Sequence, residues 1–384
     1  MFEILKFDRF RDLVEPSIRV FFALFLACLS PVPVLAETAN STFEQNMQPI
    51  DDASSQADIG FRNGSFIAVP VPFSNPMIET GIALGGAYLF QSDEGSNTSM
   101  FGVGALKSTN DTEAYGAALS LNFDDNRWGV SASYIDADVR YDLIGNSLTV
   151  PVRQTGKLAR LDLTYGFTSD TSITLLTRYL ETSVTSNNRF FDAMPPEFRP
   201  TLGFSTMSYG LALEHDRRDH DLYPTSGYRA RLTGLYTEPV TGNSADYSKA
   251  FVTFDKFFNV ADQGALALRL TGCWASSDTV FYDLCSIGGT DSMRGFNSTQ
   301  FLDNGLLSTQ AEYRGRVGKK LGYVIFAGAG GVGNKIGDLD RYGAAGGVGV
   351  RYRLSKKFPV DFSVDVSGND SGESLLYIYA GQRF

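Results

Sequence analysis

Histidine, cysteine and tryptophan are scarce in this chain of 384 residues, with two, three and two of each. The two histidines, His215 and His220, lie in one stretch, so a histidine-based catalytic relay has almost no material. His215, Asp216, Asp219, His220 and Asp221 imitate a metal cluster by composition. Consecutive residues rarely converge on one ion, however. The glycine-rich run Gly328–Gly333 has neither the lysine nor the following helix of a phosphate loop. No enzyme, metal site or cofactor is therefore assigned. Basic excess is also missing: 33 Lys and Arg stand against 43 Asp and Glu, a net charge of −10. Nucleic-acid binding wants the opposite balance. Beyond the N-terminus no apolar run reaches the roughly 18 residues of a spanning helix. The remainder of the chain is either soluble or crosses a membrane with strands.

The N-terminus points to export. Lys6, Arg9, Arg11 and Arg19 precede the apolar segment Val20–Leu29, and Val34-Leu35-Ala36 offers a small-residue cleavage site before Glu37. Residues 1–36 read as a secretory signal peptide. The alternative, an anchor helix, is opposed by the short apolar core and by prolines 31 and 33. Removal of Cys28 would leave Cys273 and Cys285, a pair that an oxidising compartment permits to bridge. Two unpaired thiols are the other possibility. Residues 37–62 are rich in Asn, Gln, Ser and Asp and read as a flexible periplasmic lead, too short for a domain.

From 63 to the end, alternating segments succeed one another, about sixteen in all, the first at 63–71 and the last at 375–384. Val360, Phe362, Val364 and Val366 share one face; Asp361, Ser363, Asp365 and Ser367 share the other. Small polar residues recur on the second face in strand after strand. This suits an all-β transmembrane antiparallel barrel with lipid outside and a polar lumen. Short links such as Asp124–Asn126 and Gly318–Gly322 come after even strands, while the long stretches 140–156, 185–205 and 276–305 come after odd ones. Outer-membrane barrels have short periplasmic turns and long external loops. The chain ends on Phe384, an aromatic terminus on an amphipathic last strand. The first strand carries Phe66, Pro70 and Pro72 and must close against Leu375–Phe384. Prolines belong at strand edges and ends, so that seam is expected to be weak.

The loop 276–305 holds the most unusual stretch, Ser286–Phe296, with Gly288-Gly289 and then Met293-Arg294-Gly295-Phe296. Glycines there allow close backbone approach. This stretch resembles the Gly-Gly…Val-Arg-Gly-Phe loop of the BamA/TamA-type outer-membrane barrels, the bacterial surface antigen family. Asp216–Asp219 with Pro224–Gly227, Ala311–Arg314 with Phe326–Gly330, and Gly347–Tyr352 with Pro359–Asp365 are similar to further family segments in the same order. The resemblance implies that the loop folds into the lumen and that Arg294 meets an acid of the wall. The family's usual acid falls at Gly328 here, which leaves Glu312 as the substitute. On the face assignment, Cys273 points into the lumen beside Arg269 and Thr271, so a Cys273–Cys285 bridge would tie loop to wall. Most family members carry periplasmic POTRA modules, for which 37–60 leaves no room. The resemblance further implies a device for inserting or transporting proteins, or lipids, at the outer membrane. Its partners would be membrane lipids, client proteins and a separate periplasmic partner. A passive pore or structural barrel is the alternative.

Overall fold

The computed structural model describes residues 65–144, 149–186, 202–221, 223–242, 245–261, 264–288, 292–353 and 361–383. The signal segment, the lead, Gly289 and Phe384 lie outside these residues. Sixteen antiparallel strands close into one barrel. They are β1 (Ser65–Asn75), β2 (Glu79–Phe90), β3 (Ser99–Ser108), β4 (Glu113–Phe123), β5 (Trp128–Ile144), β6 (Thr149–Gly166), β7 (Thr171–Ser186) and β8 (Leu202–Asp216). The second half comprises β9 (Gly227–Thr241), β10 (Tyr247–Ala261), β11 (Gly264–Ala275), β12 (Gly305–Val317), β13 (Leu321–Gly333), β14 (Arg341–Arg353), β15 (Asp361–Asn369) and β16 (Ser374–Ala380). The alternation places every strand near its expected position.

Period-two patterning separates the two faces as lipid and lumen require. On β11, Leu268, Leu270 and Trp274 are exposed on the outside, while Arg269, Thr271 and Cys273 are buried. Two aromatic belts ring the outside. Tyr115, Tyr134, Tyr209, Tyr236 and Tyr342 are exposed toward the end that carries the long loop. Phe66 lies tilted against Tyr88 and Trp128 edge-on to Tyr165, ring centroids 4.8 Å apart in each pair, toward the end that carries the chain termini. Aromatic rings collect at both membrane interfaces in such barrels.

Three features depart from the sequence-based expectation. Strands β5 and β6 run 17 and 18 residues, so hairpins expected as loops continue as wall beyond the upper aromatic belt. A spanning strand needs only ~9–11 residues. The links 91–98 and 217–226, at the terminus-bearing end, are long rather than tight. The lumen is also not polar throughout. Phe73, Leu89, Met100, Leu106, Ile135 and Leu158 form one buried cluster inside β1–β6, joined by Leu180 of β7. In that half both faces of the wall are apolar, which alternation alone hides.

Closure is uneven. β1 is paired with β2 from Ser65↔Leu89 to Asn75↔Glu79. Toward β16 its register partner among the described residues is Ser74↔Ile378 alone. Pro70 and Pro72 sit at alternate positions, so both withhold a donor from the same edge. The outward position of Leu161, between the two belts, gives a direct test of the membrane assignment. Leu161→Arg should destabilise the barrel by ~2–4 kcal/mol in urea titrations of vesicle-folded protein, and Val240→Arg, in the wall beyond the belt, by ~0–1 kcal/mol.

Candidate functional site

The chain leaves the wall after β11, enters the lumen and returns at β12. Its neck is held by backbone bonds from Ala275 N–H to Asn304 O at 2.6 Å and from Ser276 N–H to Ser248 O at 2.8 Å. Cys285 and Ser286 then pair antiparallel with Asp303 and Leu302. Cys285 is bridged to Cys273 of β11, with Cα atoms 5.8 Å apart. The loop is thus tied covalently to the wall strand that leads into it.

Beyond the neck the loop packs tightly. A side chain at Gly288 would fall 2.5 Å from the Asn297 carbonyl. Gly295 has φ +116°, which only glycine adopts readily, and a Cβ there would lie 2.2 Å from that of Ala345. Phe296 is fully buried against Phe301, edge to face at 5.1 Å, and over the backbone of Gly343. Glycines on both sides of the contact let the ring seat.

Arg294, 3% exposed, lies between two acids. Nη2 donates to Glu312, and Nη1 donates to Asp365 at 2.5 Å and to Tyr379 Oη at 3.4 Å. The guanidinium stacks 3.7 Å over the ring of Phe326. Its backbone N–H donates to Gln310 Oε1 at 3.0 Å. Gln310 lies across from Gly328 on the neighbouring strand, and a Cβ at Gly328 would come 3.3 Å from the Gln310 side chain. The Thr309 carbonyl would be nearer still, at 2.8 Å, so glycine at that position lets the β12 backbone and Gln310 approach. The acids come instead from β12 and β15, and Arg314 and Arg351 brace them by donating to Glu312 and Asp365 respectively.

Sequence reasoning does not single out Asp365 as a partner. The one signal it carries is its place as an acid on the lumen face of the most regular alternating strand. Tyr377 escapes sequence reasoning as well; its hydroxyl accepts the Gly295 N–H at 2.8 Å. Asn369 Nδ2 donates to Gly295 O at 2.8 Å, and Asn297 Nδ2 donates to Pro76 O, in the link between β1 and β2, at 3.0 Å. Five consecutive loop residues, 294–298, therefore touch both the first hairpin and the last strands, one on each side of the seam.

A second anchor lies on the opposite wall. Asp283, in the short 3-10 turn Phe281–Asp283, is buried and accepts from Arg178 Nη2 at 2.8 Å, Tyr247 Oη at 2.7 Å and Lys249 Nζ at 3.4 Å. Burial alone would raise its carboxyl pKa; the charges of Arg178 and Lys249 reverse this and hold it well below the usual carboxylate range. The loop thus brings a cation to two acids on one side of the wall and an anion to two basic side chains on the other. The stretch His215–Asp221 serves its turn: Asp216 pairs with Arg218 at 2.6 Å, and Asp219 accepts the backbone N–H groups of Thr225 and Ser226 at 2.9 and 3.0 Å.

Removing one member of a buried ion pair strands its partner, at a cost of ~3–5 kcal/mol. Arg294→Ala should lose about that much in urea unfolding of vesicle-folded protein. Adding Glu312→Gln and Asp365→Asn to it should deepen the loss, because Arg314 and Arg351 would then be buried without their acids. Asp283 gives a pH test. Its folded pKa is depressed, so its contribution is complete above the unfolded value of ~3.9 and is lost as pH falls through the lower folded value. Protection of Cys273–Cys285 from a phosphine reductant should persist through mild acid and fail only in strong acid. In Asp283→Asn it should be weak at every pH.

The barrel has counterparts among known proteins. The Omp85 superfamily domain matches residues 97–384. No curated protein matches the sequence significantly. Among solved structures, the chain is similar to BamA from Haemophilus ducreyi lacking POTRA domains 1–3, with TM-score 0.59 and 14% identity over 83% of this chain and 70% of that one. It is also similar to CdiB from Acinetobacter baumannii, with TM-score 0.57 and 15% identity. CdiB from Escherichia coli gives TM-score 0.54 and 17% identity. Each CdiB match covers 83% of this chain, which spans 59% and 62% of the respective CdiB chains. At such identities the structures speak for the fold; the family match, which runs over most of the sequence to its last residue, places this chain in the Omp85 superfamily of outer-membrane β-barrels.

Proposed function

We propose that this barrel aids the insertion or translocation of proteins at the outer membrane by opening between β1 and β16. It would be exported by its signal segment, with the termini on the periplasmic side. The observation that carries the reading is the arrangement at the seam. The strands themselves meet there at Ser74↔Ile378, and the loop spans the gap, with Gly295 held by Tyr377 of β16 and Asn297 by Pro76 of the first hairpin. A wall meant only to enclose a pore would gain from a full ladder at every junction, since an unpaired backbone group in lipid costs several kcal/mol. A seam held by a removable clasp suits a barrel that must part. Clients, and a periplasmic partner to deliver them, are implied by the same reading.

The test is depletion in the native bacterium, with rescue by three versions of the chain. These are wild type, Arg294→Ala, and Ser74→Cys with Ile378→Cys to lock the seam. A defined set of outer-membrane or secreted proteins should fall on depletion and return with wild type alone. An unchanged proteome with reduced uptake of small solutes would favour the passive pore instead.

A further inference from the structure

The outer face of β10 breaks its apolar pattern near the terminus-bearing end. Phe254 and Phe258 are exposed while Asp255 and Phe257 are buried, so Lys256 points outward with the two exposed rings. Its register partners are Tyr228 of β9 and Leu268 of β11. The next outward pair toward the middle of the wall is Phe254 with Leu270. A lysine on the lipid face of a barrel costs more the deeper it sits. Its long stem lets the ammonium reach back toward the interface.

Lys256 has aromatic neighbours but no acid. Nζ lies 5.6 Å from the centre of the Tyr228 ring and 5.4 Å from that of Phe258. Tyr228 is packed in turn by Phe254 at 6.0 Å and by His215 at 5.6 Å, and His215 Nδ1 is bonded to Thr171 Oγ1 at 2.8 Å. Among the described residues, Lys256 Nζ makes no ion pair or hydrogen bond, and the Tyr228 hydroxyl meets no partner. Asp255, the acid next in sequence, points inward to Arg269 at 2.6 Å. Cations on the outer face toward the other end do meet acids: Lys107 pairs with Glu113, Arg140 with Asp111 at 2.9 Å and Arg153 with Asp138 at 2.6 Å. A ring face attracts a cation without neutralising it. The wall thus presents an ammonium with three donors and a phenol hydroxyl. Both stand beside the aromatic belt, the depth at which lipid heads begin.

We infer that Lys256 and Tyr228 form a binding site for the head of an anionic phospholipid, a phosphate oxygen accepting from Lys256 Nζ and from Tyr228 Oη. Such charge-assisted bonds are the strong ones. The acyl chains of the same lipid lie along Phe254 and Leu270, which are exposed on the side toward the middle of the wall. An aqueous anion would bring the charge but would have to shed water beside Phe258 and Leu268. A lipid phosphate already stands at that depth, with its chains against the wall. This inference does not rest on the proposed seam opening.

The experiment places a reporter beside the site in the full chain. Trp128→Phe and Trp274→Phe remove the two native indoles, and Leu268→Trp puts one next to Lys256. This reporter protein is folded into nanodiscs of equal parts phosphatidylglycerol and phosphatidylcholine at low ionic strength, with one or the other lipid brominated in its chains. Heat-modifiable migration confirms that each variant is folded. Brominated phosphatidylglycerol should quench the indole with a preference of about fivefold over brominated phosphatidylcholine, the worth of one lysine facing an anionic lipid. The preference should vanish in Lys256→Met, fall in Tyr228→Phe and persist in Lys107→Met. It should also persist when inorganic phosphate replaces chloride at constant ionic strength. Equal quenching by both lipids, or full preference in Lys256→Met or Tyr228→Phe, would overturn the assignment. So would loss of the preference to inorganic phosphate, which would make the ligand a free anion. Quenching by neither lipid would place protein, such as a second copy of this chain, over the face and would overturn it too.

Discussion

A guanidinium withdrawn from water is the constraint on which the interior of this barrel depends. Arg294 has no access to solvent that could screen it, so its charge must be met at fixed distance by Glu312 and Asp365. Those acids in turn need Arg314 and Arg351, and the ring of Phe326 completes the enclosure. A buried pair of this kind adds little stability over an apolar replacement, yet breaking it is costly. It acts as a specification: the loop has one place to sit, and the strands that supply the acids have one register in which they reach it.

The second anchor makes the specification directional. Asp283 and Arg294 carry opposite charges, each to partners of the other sign, so turning the loop over would bring Arg294 to Arg178 and Lys249 and Asp283 to Glu312 and Asp365. The Cys273–Cys285 bridge fixes the near end of the same segment. Docked in this way, residues 294–298 reach both sides of the junction where the backbone ladder is thinnest. Loop position and seam closure are therefore coupled mechanically, through Tyr377 and Pro76.

Much of this is legible in the residues alone. Alternation yields the strand count and the lumen faces of β11, β12 and β15, because side-chain direction in a strand has a period of two and nothing else. The unusual loop is legible because Gly288, Gly295 and Phe296 are residues that a solvent-facing loop does not require. Partner identity is harder. Glu312 can be nominated from its face, but Asp365 is 71 residues from Arg294 in sequence, and no local pattern links them. Asp283 sits in an apolar stretch with no motif, and only the curvature of the wall brings Arg178 and Lys249 to it. The apolar half of the lumen is hidden for another reason: a strand that is apolar on both faces gives no sign of which face is inside.

The position of Asp365 also bears on how the molecule comes into being. It lies on β15, and Tyr379 lies on β16, the two strands that follow the other fourteen along the chain. Until both are in place, Arg294 has only part of its shell and gains little from leaving water. Loop docking and completion of the wall are thus one event in time, because neither reaches its final energy without the other. A chain lacking β15 and β16 would keep most of its strands but lose half of the surroundings of its central charge, so maturation of the interior must wait for these two strands.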